Sequence, residues 1–210
     1  GDTIAVGARY GYIIDPGGMT GAAYVFQRDE TGVWEQKQKL TARDAMDSAH
    51  FGWSVSIDDD WVIVGANGDA EIDENAGAAY LFKHDDNTGV WEQEQKIIGR
   101  EVEYWDYFGH SVDISGKYAI VGTPGDDGDG NLTTTSGAAY LFERKGKSWE
   151  EIKMLTADDA AEWKELGYCV AMDKEHVIAG SPGNSTTAEE SGSAYIYPIK
   201  TVKKKPKMNK

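Results

Sequence analysis

Apolar residues in this chain come in short runs bounded by glycine, asparagine or charged pairs, and the same run keeps returning. FGWSVSIDDDWVIVGA (51–66) recurs as FGHSVDISGKYAIVGT (108–123) and as LGYCVAMDKEHVIAGS (166–181), and a shortened version, GDTIAVGA, opens the chain. Within one copy the pattern predicts four strands. SVSID (54–58) and WVIVGA (61–66) are separated only by Asp59-Asp60, which reads as a tight hairpin. GAAYLFK (77–83) and VWEQEQKI (90–97) follow, joined by a loop with the turn chemistry of DDNTG. The second and third runs are small or apolar nearly throughout, as strands covered on both faces are. The fourth alternates, with Trp91, Gln93, Gln95 and Ile97 on one side and Glu92, Glu94 and Lys96 on the other. That is a charged outer edge, which discourages sheets from pairing edge to edge.

The landmarks fix the period. The glycine of the V-G-A element stands at Gly7, Gly65, Gly122 and Gly180, and the Trp-Glu element at Trp34, Trp91 and Trp149, giving steps of 57 or 58 residues. The G-A-A-Y glycine (Gly21, Gly77, Gly137, Gly192) wanders by a few residues, so a loop of variable length lies just before it. A four-stranded meander repeated radially with a wet outer strand is a β-propeller blade. Solenoid repeats are usually shorter, about 20–45 residues. The expected fold is therefore all-β, a propeller of four-stranded antiparallel blades. Its repeats span about 1–50, 51–107, 108–165 and 166–199, before a basic tail at 200–210.

Phe51-Gly52 and Phe108-Gly109, each followed by GAN or GTP and then GAAY, resemble the FG-GAP repeat, the blade unit of the integrin α-chain head and of many secreted microbial and protist proteins. The likeness runs in register from residue 1 to about 199. It implies a propeller with an extracellular or surface role in binding or adhesion. Calcium-binding blades of that family carry an acidic D-x-D-x-D-G loop between their first two strands. Here the connection is IDDDW, ISGKY or MDKEH, too short to wrap an ion that wants 6–8 oxygens, so Asp58, Asp59 and Asp60 read as a solvated hairpin tip. The first copy lacks its strand 1 and the last its strand 4. We expect a stretch of a longer propeller, seven-bladed by resemblance, ahead of a self-contained ring of four; strands shared between chains are a third arrangement. The start at Gly1 instead of Met reads as a processed or partial chain.

Charge narrows the partners. The net charge is −15, and removing the six lysines of the last eleven residues leaves the body at −21. Such a body repels nucleic acid and anionic membrane and suits calcium, basic partners or simple solubility. The tail reads as a disordered end, with an electrostatic tether as the alternative. The single cysteine, Cys169, permits no internal disulfide and reads as a buried thiol. No run reaches the ~20 apolar residues of a membrane span.

Strand order sends the 2–3 and 4–1 loops to one side of every blade, and that side holds what is irregular. The 2–3 loops are NGDAEIDEN (67–75), PGDDGDGNLTTTS (124–136) and PGNSTTAEES (182–191). The 4–1 loops carry Tyr104, Trp105 and Tyr107 and, one repeat on, Trp163. With Asp69 and Asp73 these make a candidate ligand surface for a protein or carbohydrate; the competing reading has Trp105 and Trp163 plugging the gap between blades. Asp126, Asp127, Asp129 and Asn131 alternate oxygens as an irregular calcium site would, against the favoured reading of a solvated acidic loop. An EF-hand counted from Asp127 fails, with Leu132 and Ala138 where glycine and glutamate belong. Asn131 and Asn184 each head an N-x-S/T sequon, a glycosylation signal in the same loops.

No catalytic centre is legible. His50, His84, His110 and His176 fall at scattered repeat positions, Ser54 and Ser111 sit in strand 1 where a hydroxyl satisfies neighbouring backbone, and GDDGDG opens no helix. The expected function is non-enzymatic extracellular binding or adhesion through the 2–3/4–1 loop face. The alternative is a structural subunit whose incomplete edge blades join copies of itself or other subunits.

Overall fold

The computed structural model describes residues 2–12, 18–127, 135–183 and 191–200. Its fourteen strands form four antiparallel sheets of three, four, four and three strands. The first sheet is β1 (Thr3–Ala8), β2 (Ala22–Arg28) and β3 (Trp34–Leu40). The second is β4 (Ser54–Asp58), β5 (Trp61–Ala66), β6 (Ala78–Asp85) and β7 (Val90–Ile97). The third repeats it as β8 (Ser111–Ser115), β9 (Tyr118–Thr123), β10 (Ala138–Lys145) and β11 (Ser148–Leu155). The last is β12 (Cys169–Met172), β13 (His176–Ser181) and β14 (Ser193–Pro198). Neighbours in sequence are neighbours in every sheet, a pure meander, so each sheet is one blade and the strand tally is the expected one. No helix among the described residues is long and apolar enough to cross a membrane.

Blades stack face to face through the same contacts each time. The Phe51, Phe108 and Leu166 side chains are buried between blades, and their backbones make parallel bridges to Gly21, Gly77 and Gly137 of the blade before. The next glycine of each dipeptide (Gly52, Gly109, Gly167) has φ of +88°, +88° and +86°, a conformation that costs glycine nothing. Its carbonyl lies so close over Gly7, Gly65 or Gly122 that a Cβ there would overlap it. The glycines repeat because backbone meets backbone.

Polar clips complete the joint. Ser54 Oγ donates to the Gly109 carbonyl at 2.8 Å, and Ser111 Oγ accepts from Val170 N at 3.0 Å, as the strand-1 hydroxyls were expected to do. On the rim, Gln38 donates to the Trp91 carbonyl and accepts from its N–H, both at 2.8 Å; Gln95 does the same to Trp149, at 2.9 and 2.8 Å. A β-bulge sits at one place in three blades, after Val25, Leu81 and Leu141, and lets the outer strand bend away.

Two expectations are corrected. Cys169 is exposed, because the face it lies on meets no further blade among the described residues. Asp58 leaves the hairpin tip to accept from Gly116 N of the next blade at 2.6 Å; Asp59 and Asp60 remain at the turn.

Candidate functional site

The loop face is anchored from beneath. The tyrosine of G-A-A-Y is buried on strand 3, and a buried hydroxyl needs a partner. Tyr80 donates to Asp69 at 2.7 Å and Tyr140 to Asp126 at 2.7 Å. Both carboxylates stand four residues past the V-G-A glycine and are essentially inaccessible, Asp69 at 1 % exposed. Burial and the adjacent carboxylate push both phenol pKa values up. Lys96 completes the second blade's network, reaching Asp69 at 2.9 Å, Asp44 at 2.8 Å and Glu71 at 2.6 Å. Burial works against its charge, yet these carboxylates hold its pKa above the usual lysine value. Asp69 is thus no exposed ligand group and Asp126 no solvated loop acid. Each tethers its loop to the core, a role legible only by pairing the aspartate with the tyrosine of its own repeat.

The 4–1 loops cross this anchored surface. Trp105 N donates to the Glu74 carbonyl and Tyr107 N to that of Asn75, each at 3.0 Å, so the loop runs along the 2–3 loop of its predecessor. Trp105 and Tyr107 have φ of 63° and 57°, and Trp163 and Glu165 repeat this at 63° and 53°. Left-handed backbone at bulky residues costs on the order of 1–3 kcal/mol each. The turn throws the indoles outward: Trp105 is 44 % and Trp163 61 % exposed. They do not plug the gap between blades, which Phe108 and Leu166 fill. Tyr104, Trp105 and Tyr107 form one cluster, with successive ring centroids 5.7 and 5.8 Å apart. Trp163 stands one blade further round, and Asp73 is exposed, accepting from Glu74 N at 2.8 Å. Between Trp105 and Tyr107, Asp106 is buried and accepts from Glu103 N at 2.7 Å. Burial pushes its pKa up to about 7; that N–H opposes the shift, and the charges of Asp126, Asp127 and Glu103 add to it.

One set of residues was missed. The position after the Phe/Leu-Gly dipeptide is always a ring, Trp53, His110 and Tyr168, and these line the inner rim of the loop face as a ladder. Centroids lie 5.5 Å apart from Trp53 to His110 and 4.7 Å from His110 to Tyr168. Arg9 stacks over Trp53 at 4.1 Å. His50, beside them, has a pKa lowered by burial and by Arg9, an effect that neighbouring Asn67 offsets. The ladder and Tyr107 wall a recess of about 320 Å³, to which Asn67, Thr135 and Glu165 contribute. The residue type changes from copy to copy and only its aromatic character persists, so a comparison of identities passes over it.

Calcium does not fit the described residues. The hairpin between the first two strands is a turn of two or three residues, Asp126 is committed to Tyr140, and among the described residues no three His, Cys, Asp or Glu side chains are placed to hold a metal ion; Asp44, Asp69 and Glu71 meet on the Lys96 ammonium. Asp127 is exposed, while Asp129, Asn131 and Asn184 lie outside the described residues, as does the tail from 201.

A search of curated protein sequences finds no match. Among solved structures, the chain is similar in fold to the periplasmic gluconolactonase PpgL of Pseudomonas aeruginosa, at 11 % identity and a TM-score of 0.54, over 93 % of this chain and 50 % of that one. It therefore spans about half the length of that structure. The family model of the FG-GAP repeat matches residues 34–82, 91–142 and 149–197. Each matched stretch opens on the outer strand of one blade and ends on strand 3 of the next, so it spans the joint just described. With three such matches over well over half its length, the chain belongs to the FG-GAP repeat family and is built as a β-propeller of that type.

Proposed function

We propose that this chain is a non-enzymatic binding or adhesion module acting outside the cell or at its surface, recognising a protein or glycan through its 2–3/4–1 loop face. The observation that carries the reading is the outward turn at Trp105 and Trp163. Two large rings are held in solvent by backbone that resists such residues, over loops tied down by Asp69 and Asp126. Rigid exposed aromatics give contact area at low entropic cost and are the favoured anchors of interfaces. The test is a screen of the purified chain on arrayed glycans and surface proteins, repeated with Trp105→Ala. A ligand lost with the indole while the melting temperature holds supports the reading; ligands that bind equally without Trp105 and Trp163 defeat it.

A second reading, a structural subunit joined through its edge blades, has its own support. Gly180 and Gly192 hold the positions that elsewhere seat the next blade's Phe/Leu-Gly, yet among the described residues no backbone of another blade lies against either. Around them Ile178 and Ile196 are exposed, the latter at 68 %. If a further blade of this repeat docks there in an assembly, the Cys169 thiol on the same face becomes protected from maleimide, and Ile196→Asp restores its labelling. Full reactivity at every protein concentration counts against it.

A further inference from the structure

The recess walled by Trp53, Tyr107, His110 and Tyr168 meets the outward cluster only at Tyr107, and its lining sets acceptors beside the hydroxyls of Tyr107, Thr135 and Tyr168. At about 320 Å³ it lies at the small end of ligand pockets. Asn67, which lines it, is only 4 % exposed, and its Oδ1 stands by the His50 ring without a hydrogen bond of normal geometry. A buried acceptor so poorly served gains from a better-placed donor. His110 Nδ1 lies 3.1 Å from the Tyr168 carbonyl, which can only accept. Nδ1 therefore carries the proton and Nε2 of the neutral ring is an acceptor. Glu165 adds a carboxylate. The occupant that matches is rich in donors and has an apolar face to lay on a ring.

An organic cation and a sugar both meet that description, and Arg9 separates them. Its guanidinium lies 4.1 Å over the Trp53 ring and 4.8 Å over Tyr10, taking up the cation-attracting face and setting a positive charge against the recess wall. We propose that the recess is a binding site for a neutral sugar ring, its hydroxyls donating to Asn67 Oδ1 and Glu165 and its apolar face lying on Tyr168, whose side chain is 49 % exposed. This rests on the reading that the loop face recognises a ligand, and it names the class of ligand.

The experiment is a fluorescence titration of the purified chain with cellobiose, lactose, maltose and N,N′-diacetylchitobiose, with choline and arginine methyl ester as cationic comparisons. At least one saccharide saturates, and Asn67→Leu and Tyr168→Ala each weaken it by about tenfold or more. Trp34→Ala, on the outer strand of the first blade, leaves it unchanged. Asn67 is buried and its variant is read only if it folds; Tyr168, on the surface, carries the test alone. Saturation by no saccharide, binding indifferent to Tyr168→Ala, or tighter binding of the cations overturns the proposal. A Trp105-dependent ligand without saccharide binding defeats this inference alone, whereas failure of both removes the loop-face reading as well.

Discussion

The side-chain amide of Gln95 grips the main chain of Trp149 from both sides, donating to its carbonyl at 2.9 Å and accepting from its N–H at 2.8 Å. The outer strands of successive blades belong to different sheets, and this side chain joins them, beside Arg100, which reaches Glu151 of the same outer strand at 2.8 Å. Gln95→Ala leaves both backbone groups short of a partner, half-buried at the rim. We expect a loss of about 1–3 kcal/mol, read as a lower urea midpoint. Gln95→Glu keeps the acceptor but loses the donor and falls between. An unchanged midpoint in both would show that water replaces the clip.

Lys96→Met removes the cation from Asp69, Asp44 and Glu71. The equivalent position in the third blade is Met154, so the side chain itself fits such a site. The penalty is the uncompensated Asp69, about 3–5 kcal/mol. Adding Asp69→Asn to Lys96→Met recovers part of the loss. A double variant no better than the single would place the cost in packing instead.

Asp106 ties stability to pH. Its folded pKa is raised to about 7 from the ordinary 3.8, chiefly by burial. Its protonated form is favoured by folding, so its contribution is present in full below about pH 4 and is lost as pH rises through 7. Asp106→Asn keeps an acceptor for Glu103 N and removes the charge. We expect it to raise stability at pH 8 by on the order of 1–3 kcal/mol, to change little at pH 4, and to flatten the melting-temperature profile between. Parallel profiles for variant and parent would rule the linkage out.

Trp163→Gly puts a residue suited to φ of 63° at an exposed turn. Relief of the backbone should balance or outweigh the lost ring contacts, holding or raising stability by up to about 1 kcal/mol. A drop of several degrees in melting temperature would mean that the ring packs where the blades meet.

The blades could be read from the sequence because their demands are local and periodic. WVIVGA and GAAYLF must be covered on both faces, and the turns between them tolerate few residues. The site was only half legible. Tyr104, Trp105 and Tyr107 are close in sequence and were found together. Asp69 and Tyr80 are also near in sequence, yet the partnership depends on which way a loop folds over a strand, and the loop's acidity alone made the aspartate look like a ligand group. Trp53, His110 and Tyr168 come from three blades, and only the curvature of the stack brings them side by side. Cys169 was misplaced for the converse reason. Its burial would require a neighbouring blade, and its own copy says nothing of one.

The glutamine clip addresses peptide groups alone and is indifferent to the side chain that the gripped residue bears. A coupling of that kind leaves each copy free to change its residues without renegotiating terms with the copy beside it. Duplication of a whole unit therefore brings its own fitting on either side, and divergence can proceed one copy at a time, which is how a stack of interchangeable parts comes to carry unlike loops.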